Sequence, residues 1–386
     1  FMPIATIPVM ANGKTDRTAL PKPVINKEAK GRYVAPKTNT EVALAAIFLR
    51  NIAIDRIGID DNFFNLGVDS LVMVKVMVQV EKEFGKRYPL SILIKYPTLM
   101  QLAGLIDSNG AESQYKSLIP IRPKGSKVPL YIVHGIGLNL LNMYHMVSML
   151  DIEQPVYGLQ AVGLDGSVEQ MNTIEEIAAF YNSEILQHDP VGPYAISGYS
   201  FGGYIAFEMV RQLRAAGKEV KMLALFDTNL QIPTYQMPLG QKLWVKGIRQ
   251  FNKLFFRLKT IVTCPLKTLD YMLLQMPDYY HTLQRMVGIK VNYNPDGVPQ
   301  YMQDIMAMMK RAFEAYVFKP QDVKIDLFKA AIKMYFVDDS KYFGWKAYAK
   351  KGVDIHVVPG DHKEMFMAPN DKFMAKALQE QLDKIN

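Results

Sequence analysis

The stretch Ile196-Ser197-Gly198-Tyr199-Ser200-Phe201-Gly202-Gly203 constrains this chain more than any other. It sets a serine between two glycines where the apolar run Tyr194-Ala195-Ile196 gives way to Tyr204-Ile205-Ala206-Phe207-Glu208-Met209-Val210, whose apolar spacing is helical. A strand that turns this sharply into a helix holds the residue at its apex in a strained backbone conformation, and a side chain at Gly198 or Gly202 would crowd the strand against the helix. The turn lifts the Ser200 hydroxyl off the sheet, where it can serve as a nucleophile. Further apolar runs at Leu130–Val133, Val156–Leu159 and Met222–Phe226, with helical stretches between them, predict a mostly parallel sheet with helices on its faces.

A serine nucleophile needs a base and a group to orient that base. Asp227 ends the strand pattern Met222–Phe226, at a strand end, where such folds place their chemistry. His362 lies in Pro359-Gly360-Asp361-His362, in a tight loop between a strand and a helical tail. The chain order Ser200, Asp227, His362 agrees with that of α/β-hydrolases. Asp338 and Asp339 rival Asp227, because Met334-Tyr335-Phe336-Val337 reads as the next strand and they follow it directly. Asp227 is favoured because it ends the cleaner apolar strand. Among the other histidines, His134 reads as structural, His356 falls within a strand pattern, and His145, His188 and His281 fall in helices or surface turns. The loop His134-Gly135-Ile136-Gly137 is expected to supply one oxyanion donor, the backbone N–H of Ile136, beside that of Phe201.

At 386 residues the chain exceeds the ~250–300 at which single cores stop growing, so at least two folded units are expected. No apolar run approaches the ~18 residues of a membrane span. The start Phe1-Met2-Pro3-Ile4-Ala5 is unlike a signal peptide and reads as the middle of something longer. With the single cysteine Cys264 it points to a cytoplasmic protein without internal disulfides. The net charge of +8 concentrates in residues 1–37 and 229–300, with no nucleic-acid motif in either, so nucleic acid is not an expected partner. No metal ligands are assigned.

Residues 1–37 read as a turn and a basic tether. Pro8-Val9-Met10-Ala11-Asn12-Gly13-Lys14-Thr15-Asp16-Arg17-Thr18-Ala19-Leu20-Pro21 resembles the last core motif of the adenylation domains of nonribosomal peptide synthetases. In that family the residue matching Lys14 contacts the reacting carboxylate and phosphate; without the rest of such a domain, Lys14 is given no catalytic part here. Residues 38–108 read as a small all-α bundle of four helices. Ser70 opens the stretch Leu71–Val80, and its residue type alone fits a helix cap as well as it fits a site for a phosphodiester at a helix N-terminus. The run Asp61-Asn62-Phe63-Phe64-Asn65-Leu66-Gly67-Val68-Asp69-Ser70-Leu71, with Tyr96-Pro97-Thr98-Leu99, is similar to peptidyl carrier domains, which implies that Ser70 carries phosphopantetheine. Val68, where many peptidyl carriers have a second glycine, also resembles polyketide acyl carriers. Residues 109–117 read as a polar linker.

Residues 118–386 resemble the thioesterase domains that terminate peptide synthetases, through Gly192–Gly203, Gly344-Trp345 and Pro359–His362. The resemblance implies Asp227 as the acid and a helical lid inserted at about 229–300. Within that insertion, Trp244–Ile261 reads as a basic amphipathic helix, either packed on its neighbours or lining an acyl pocket with Trp244, Phe251, Phe255 and Tyr271. The expected architecture is thus a four-helix carrier bundle followed by an α/β-hydrolase domain with a helical lid. The expected activity is transfer of an acyl or peptidyl thioester from the carrier to Ser200, then release by hydrolysis or cyclisation. The alternatives are carbon–carbon coupling of two acyl units, and a carrier and docking module whose hydrolase fold is inactive. The implied partners are an upstream adenylation domain with its synthetase modules, a phosphopantetheinyl transferase, and the acyl or peptidyl substrate.

Overall fold

The computed structural model describes residues 33–386, apart from 53, 67–69, 109–115, 165–170, 231–238, 270, 274, 275 and 277–296. The adenylation-like motif around Lys14, most of the expected linker, and His281 lie outside the described residues.

The first part of the described chain is helical: α1 (Asn39–Asn51), α2 (Ser70–Phe84), a short α3 (Ile92–Lys95) and α4 (Leu99–Asp107). Helix α1 starts at a capping box, in which Thr38 accepts from the Glu41 N–H and Glu41 reaches back to the Thr38 N–H. Its apolar face (Leu44, Ile47, Phe48) packs with Val76, Val80 and Leu102, and Phe48 stacks on Phe63 with ring centroids 4.4 Å apart. Such a buried aromatic pair contributes roughly 0.5–1.5 kcal/mol beyond its area.

The rest is built on a seven-stranded sheet: β1 (Leu118–Arg122), β2 (Leu130–Val133), β3 (Val156–Leu159), β4 (Tyr194–Tyr199), β5 (Val220–Phe226), β6 (Ile325–Ala330) and β7 (Val353–Val358). The spatial order is β1-β3-β2-β4-β5-β6-β7, with only β1 antiparallel to its neighbour. The residues of β2 and β3 are buried throughout, as strands covered on both faces must be. One face packs α6 (Ile174–His188) and α7 (Gly202–Ala215), through Tyr181, Ile185, Ile205 and Met209. The other packs α5 (Tyr144–Ser148) and a final helix, Asp371–Leu382, through Met146, Met374 and Leu378. This is an α/β-hydrolase arrangement. Its antiparallel edge is tied down by Glu184 on α6, whose carboxylate accepts the backbone N–H groups of Lys116, Ser117 and Leu118.

One expected strand is displaced. Met334–Val337 is irregular, and the strand beside β5 is Ile325–Ala330. Its charges are absorbed by distant partners: Asp326 accepts from His356 Nε2 on β7 at 3.0 Å, and Lys329 Nζ donates to the carbonyls of Ser340 and Lys341. Between β5 and β6 lie α8 (Leu239–Thr263) and α9 (Gln300–Ala315). Of the two readings of this stretch, packing on neighbours or a pocket lined by Trp244, Phe251, Phe255 and Tyr271, the pocket is not met on α8, where Trp244, Phe251 and Phe255 are 71%, 72% and 67% exposed. The side of α8 toward the body is mixed: Phe256 meets Phe336 edge-on with ring centroids 6.2 Å apart, and Arg249 pairs with Asp338 at 2.6 Å.

The helical part touches the sheet part beside the loop that follows β2. Phe64 stacks on Tyr144 with centroids 3.9 Å apart, His145 Nε2–H donates to the Phe64 carbonyl at 2.9 Å, and the Arg87 guanidinium lies 4.1 Å from the centre of the Tyr301 ring.

Candidate active site

Ser200 stands between the end of β4 and the start of α7, with φ +53°, in the left-handed region that residues with a Cβ rarely adopt. The glycines around it are demanded by space. A Cβ on Gly198 would overlap the Gly202 carbonyl, one on Gly202 the His134 carbonyl, and one on Gly203 the Thr228 side chain. The strained turn is held by its neighbours, since the Ser200 N–H donates to the Phe226 carbonyl at 2.9 Å and Thr228 Oγ1 donates to the Ser200 carbonyl at 3.0 Å.

His362 follows β7 and reaches both other members of the expected set. Its Nε2 accepts from Ser200 Oγ at 3.1 Å, and its Nδ1–H donates to Asp227 Oδ2 at 2.6 Å. The imidazole is kept in place by Tyr199, whose ring stacks on it at 5.0 Å and whose hydroxyl donates to the His362 carbonyl at 2.7 Å.

Asp227 sits just past β5, 4% exposed and with φ +47°. Its carboxylate receives three donors. Besides His362, the Ala330 N–H at the end of β6 reaches Oδ1 at 3.0 Å and the Tyr335 hydroxyl reaches Oδ2 at 3.0 Å. Burial, with the Asp227 charge beside it, pushes the Tyr335 hydroxyl well above the ordinary phenol range, so it stays protonated and donating. Trp345 is fully buried and donates its indole N–H to the Thr228 carbonyl at 2.8 Å, which fixes the residue after the acid. This gives a structural task to the Gly344-Trp345 pair. Asp338 and Asp339 are turned to other work: Asp338 pairs with Arg249, and Asp339 caps a turn by accepting the N–H groups of Lys341, Tyr342 and Gly344.

Ile136, Ser200 and Phe201 line a common cavity of about 430 Å³ with Tyr204 of α7 and with Met306, Ala307, Lys310 and Phe313 of α9. Phe201 immediately precedes α7, so its N–H lies among those that an α-helix leaves without an intrahelical acceptor. His134 is the structural residue expected. It is fully buried, donates from Nδ1 to the Gly135 carbonyl, accepts from the Tyr181 hydroxyl at Nε2, and is pushed down to about 4 by burial.

Ser70 is the first residue of α2, a 15-residue helix with no acidic side chain in its first turn. Free N–H groups and the positive end of the helix dipole suit a phosphodiester there, so the position fits phosphopantetheine attachment.

Sequence reasoning missed Tyr335, Tyr199 and the α9 wall of the cavity. Tyr199 could have been found, because its position directly before Ser200 fixes it at the C-terminal end of the central strand. Tyr335 reads in the sequence as part of an apolar strand, whereas the chain there is irregular and turns its hydroxyl to Asp227.

Known families match two stretches: residues 43–106 match the phosphopantetheine attachment site, and residues 129–262 match the thioesterase domain. Chondramide synthase cmdD of Chondromyces crocatus is 29% identical over 406 residues, covering 100% of this chain and 10% of that protein. A dimodular nonribosomal peptide synthase of Bacillus subtilis (strain 168) is 33% identical over 241 residues, covering 62% of this chain and 10% of that protein. Atromentin synthetase nps3 of Serpula lacrymans is 34% identical over 209 residues, covering 52% of this chain and 22% of that protein. Among solved structures, holo-AB3403, a four-domain nonribosomal peptide synthetase bound to AMP and glycine, superposes with a TM-score of 0.54 at 27% identity, over 98% of this chain and 28% of that one. The chain therefore spans less than a quarter of the length of each of these curated relatives. It carries a phosphopantetheine-attachment domain and, after it, a thioesterase domain of the serine α/β-hydrolase type, as found in nonribosomal peptide synthetases.

Proposed function

We propose that this chain is the carrier and releasing portion of a nonribosomal peptide synthetase: an adenylation-domain tail in residues 1–37, a carrier domain in 38–108, a linker in 109–117 and a thioesterase domain in 118–386, with a lid at about 229–300. The observation that carries the reading is the continuous hydrogen-bond chain Ser200–His362–Asp227, opening on a cavity beside the serine.

Phosphopantetheine on Ser70 would supply the thioester linkage that presents the acyl group. The chemistry then belongs to this chain's own residues. His362 Nε2 takes the Ser200 proton as Oγ attacks the thioester carbonyl carbon. Asp227 holds the imidazole with Nδ1–H toward itself and stabilises the imidazolium that forms. The backbone N–H groups of Ile136 and Phe201 receive the developing oxyanion. The tetrahedral centre collapses with return of the proton to the leaving thiol, and an acyl-serine remains. His362 next deprotonates the acceptor, either water or a nucleophile within the acyl chain, and Ser200 is regenerated.

Three donors converge on Asp227, and Asp338 and Asp339 are otherwise engaged, which supports Asp227 as the acid. The test is an intact-mass time course on carrier loaded at Ser70 from acyl-coenzyme A analogues. Loss of the acyl group is expected in the wild type and not in Ser200→Ala. Equal loss in both would refute the reading, and the product's mass distinguishes hydrolysis from cyclisation or coupling.

A further inference from the structure

The cavity beside Ser200 is apolar except at one place. Phe201, Tyr204 and Phe313 form an aromatic wall, with Tyr204 and Phe313 stacked at 4.4 Å, and Met306 and Ile136 complete the apolar lining. The exception is Lys310. It lies on α9 one turn after Met306 and one turn before Phe313, so helical spacing sets the three on the same face, toward the serine. Other cations near the site are engaged: Arg249 pairs with Asp338, Lys267 with Glu364 and Asp361, and Lys329 and Lys333 donate to the Ser340 carbonyl. Lys310 has no carboxylate partner among the described residues. A neutral hydrocarbon occupant would gain nothing from an ammonium at the wall and would remove part of its hydration.

We propose that the cavity selects an acyl group with an apolar, ring-sized body and a carboxylate remote from the thioester carbonyl, and that Lys310 recognises this carboxylate. This rests on the thioesterase reading above and names its substrate class. A volume of about 430 Å³ is within the ordinary range for small-molecule pockets and has room for one such group. The aromatic wall takes the apolar body, and the lysine at the rim takes the acid while both keep partial contact with water. The alternative, that the Lys310 stem merely lines the cavity with its ammonium in solvent, is one outcome of the test.

The test compares two thioether analogues that cannot be cleaved, one ending in a carboxylate and one in the matching carboxamide, binding to Ser200→Ala protein with and without Lys310→Met. The expected result is that Lys310→Met weakens the carboxylate analogue roughly 10-fold, an effect that added salt also produces, and leaves the carboxamide within about two-fold. Equal affinity for both analogues in the parent, or equal weakening of both by Lys310→Met, would overturn the assignment. Turnover of the matched thioesters by protein with Ser200 intact is measured separately. Loss of Lys310-dependent selectivity with retained turnover sinks only this inference, whereas selective binding without Ser200-dependent turnover sinks the releasing activity and leaves the binding site standing.

Discussion

Replacing Asp227 with asparagine tests the assignment of the acid with almost no change in volume. The Asp227 carboxylate accepts from His362 Nδ1–H, Tyr335 O–H and the Ala330 N–H. An asparagine has a single acceptor oxygen. The Ala330 N–H can only donate, so the amide oxygen is drawn to it at the Oδ1 position, and the amide NH₂ takes the Oδ2 position, facing His362 and the Tyr335 hydroxyl, which can turn to accept. An NH₂ group opposite Nδ1 favours the tautomer with its proton on Nε2, which then cannot accept from Ser200. Loss of the correct tautomer and of the imidazolium's counter-charge is expected to lower the rate of acyl transfer by about 10³–10⁴, or roughly 4–5.5 kcal/mol of barrier. The assay is single-turnover acyl loss from the loaded carrier, with thermal melting to show that the fold persists. Asp338→Asn and Asp339→Asn should stay within about ten-fold of wild type, since neither touches the imidazole. A small effect of Asp227→Asn, or a larger one of either control, would refute the reasoning.

Three further outcomes follow from particular contacts. Tyr335→Phe removes one hydrogen bond to the Asp227 carboxylate, worth about 1 kcal/mol, and should slow single-turnover acyl transfer several-fold while leaving binding of an uncleavable thioether analogue unchanged. An unchanged transfer rate would leave Tyr335 without a part in orienting the acid. Lys333 is pushed down to about 8 by burial and by neighbouring Lys329, so the folded protein resists a proton that the unfolded chain holds up to the usual ~10.4. That penalty is full below pH ~8 and gone above ~10.5, so Lys333→Met should raise the melting temperature at neutral pH, and this gain should fade as pH climbs through that window; a gain independent of pH would contradict the account. Finally, Ser70→Ala should abolish the mass increase on treatment with phosphopantetheinyl transferase and coenzyme A, and a retained increase would place the attachment elsewhere.

The parts of the site that sequence made legible are those where geometry restricts residue type. Gly198, Gly202 and Gly203 are dictated by carbonyls and a threonine pressed against them, so the turn around Ser200 is written in three glycines. Asp227 follows a strand pattern directly and His362 follows one after a short Pro-Gly loop, which made their positions readable although their contact spans 135 residues of sequence. What escaped depends on neighbours distant in the chain. Ile325–Ala330 hides as a strand because Asp326 and Lys329 look like surface residues until His356 and the 340–341 carbonyls are brought to them. The apolar run Met334–Val337 took its place in the reading, and Asp338 with it. The α8 aromatics invited a pocket by their spacing, yet it is α9, just as amphipathic, that lines the cavity with Met306 and Phe313. Periodicity reports that a face is apolar, and only packing reports what it meets.

The most direct measurement of the central claim is the mass of the protein itself during turnover. A loaded carrier mixed with wild-type thioesterase domain and quenched early should show the acyl group moved onto the thioesterase domain, located at Ser200 by fragmentation, and Ser200→Ala should never acquire it. Release of product at the wild-type rate by Ser200→Ala, or an acyl group found on another side chain, would contradict the account.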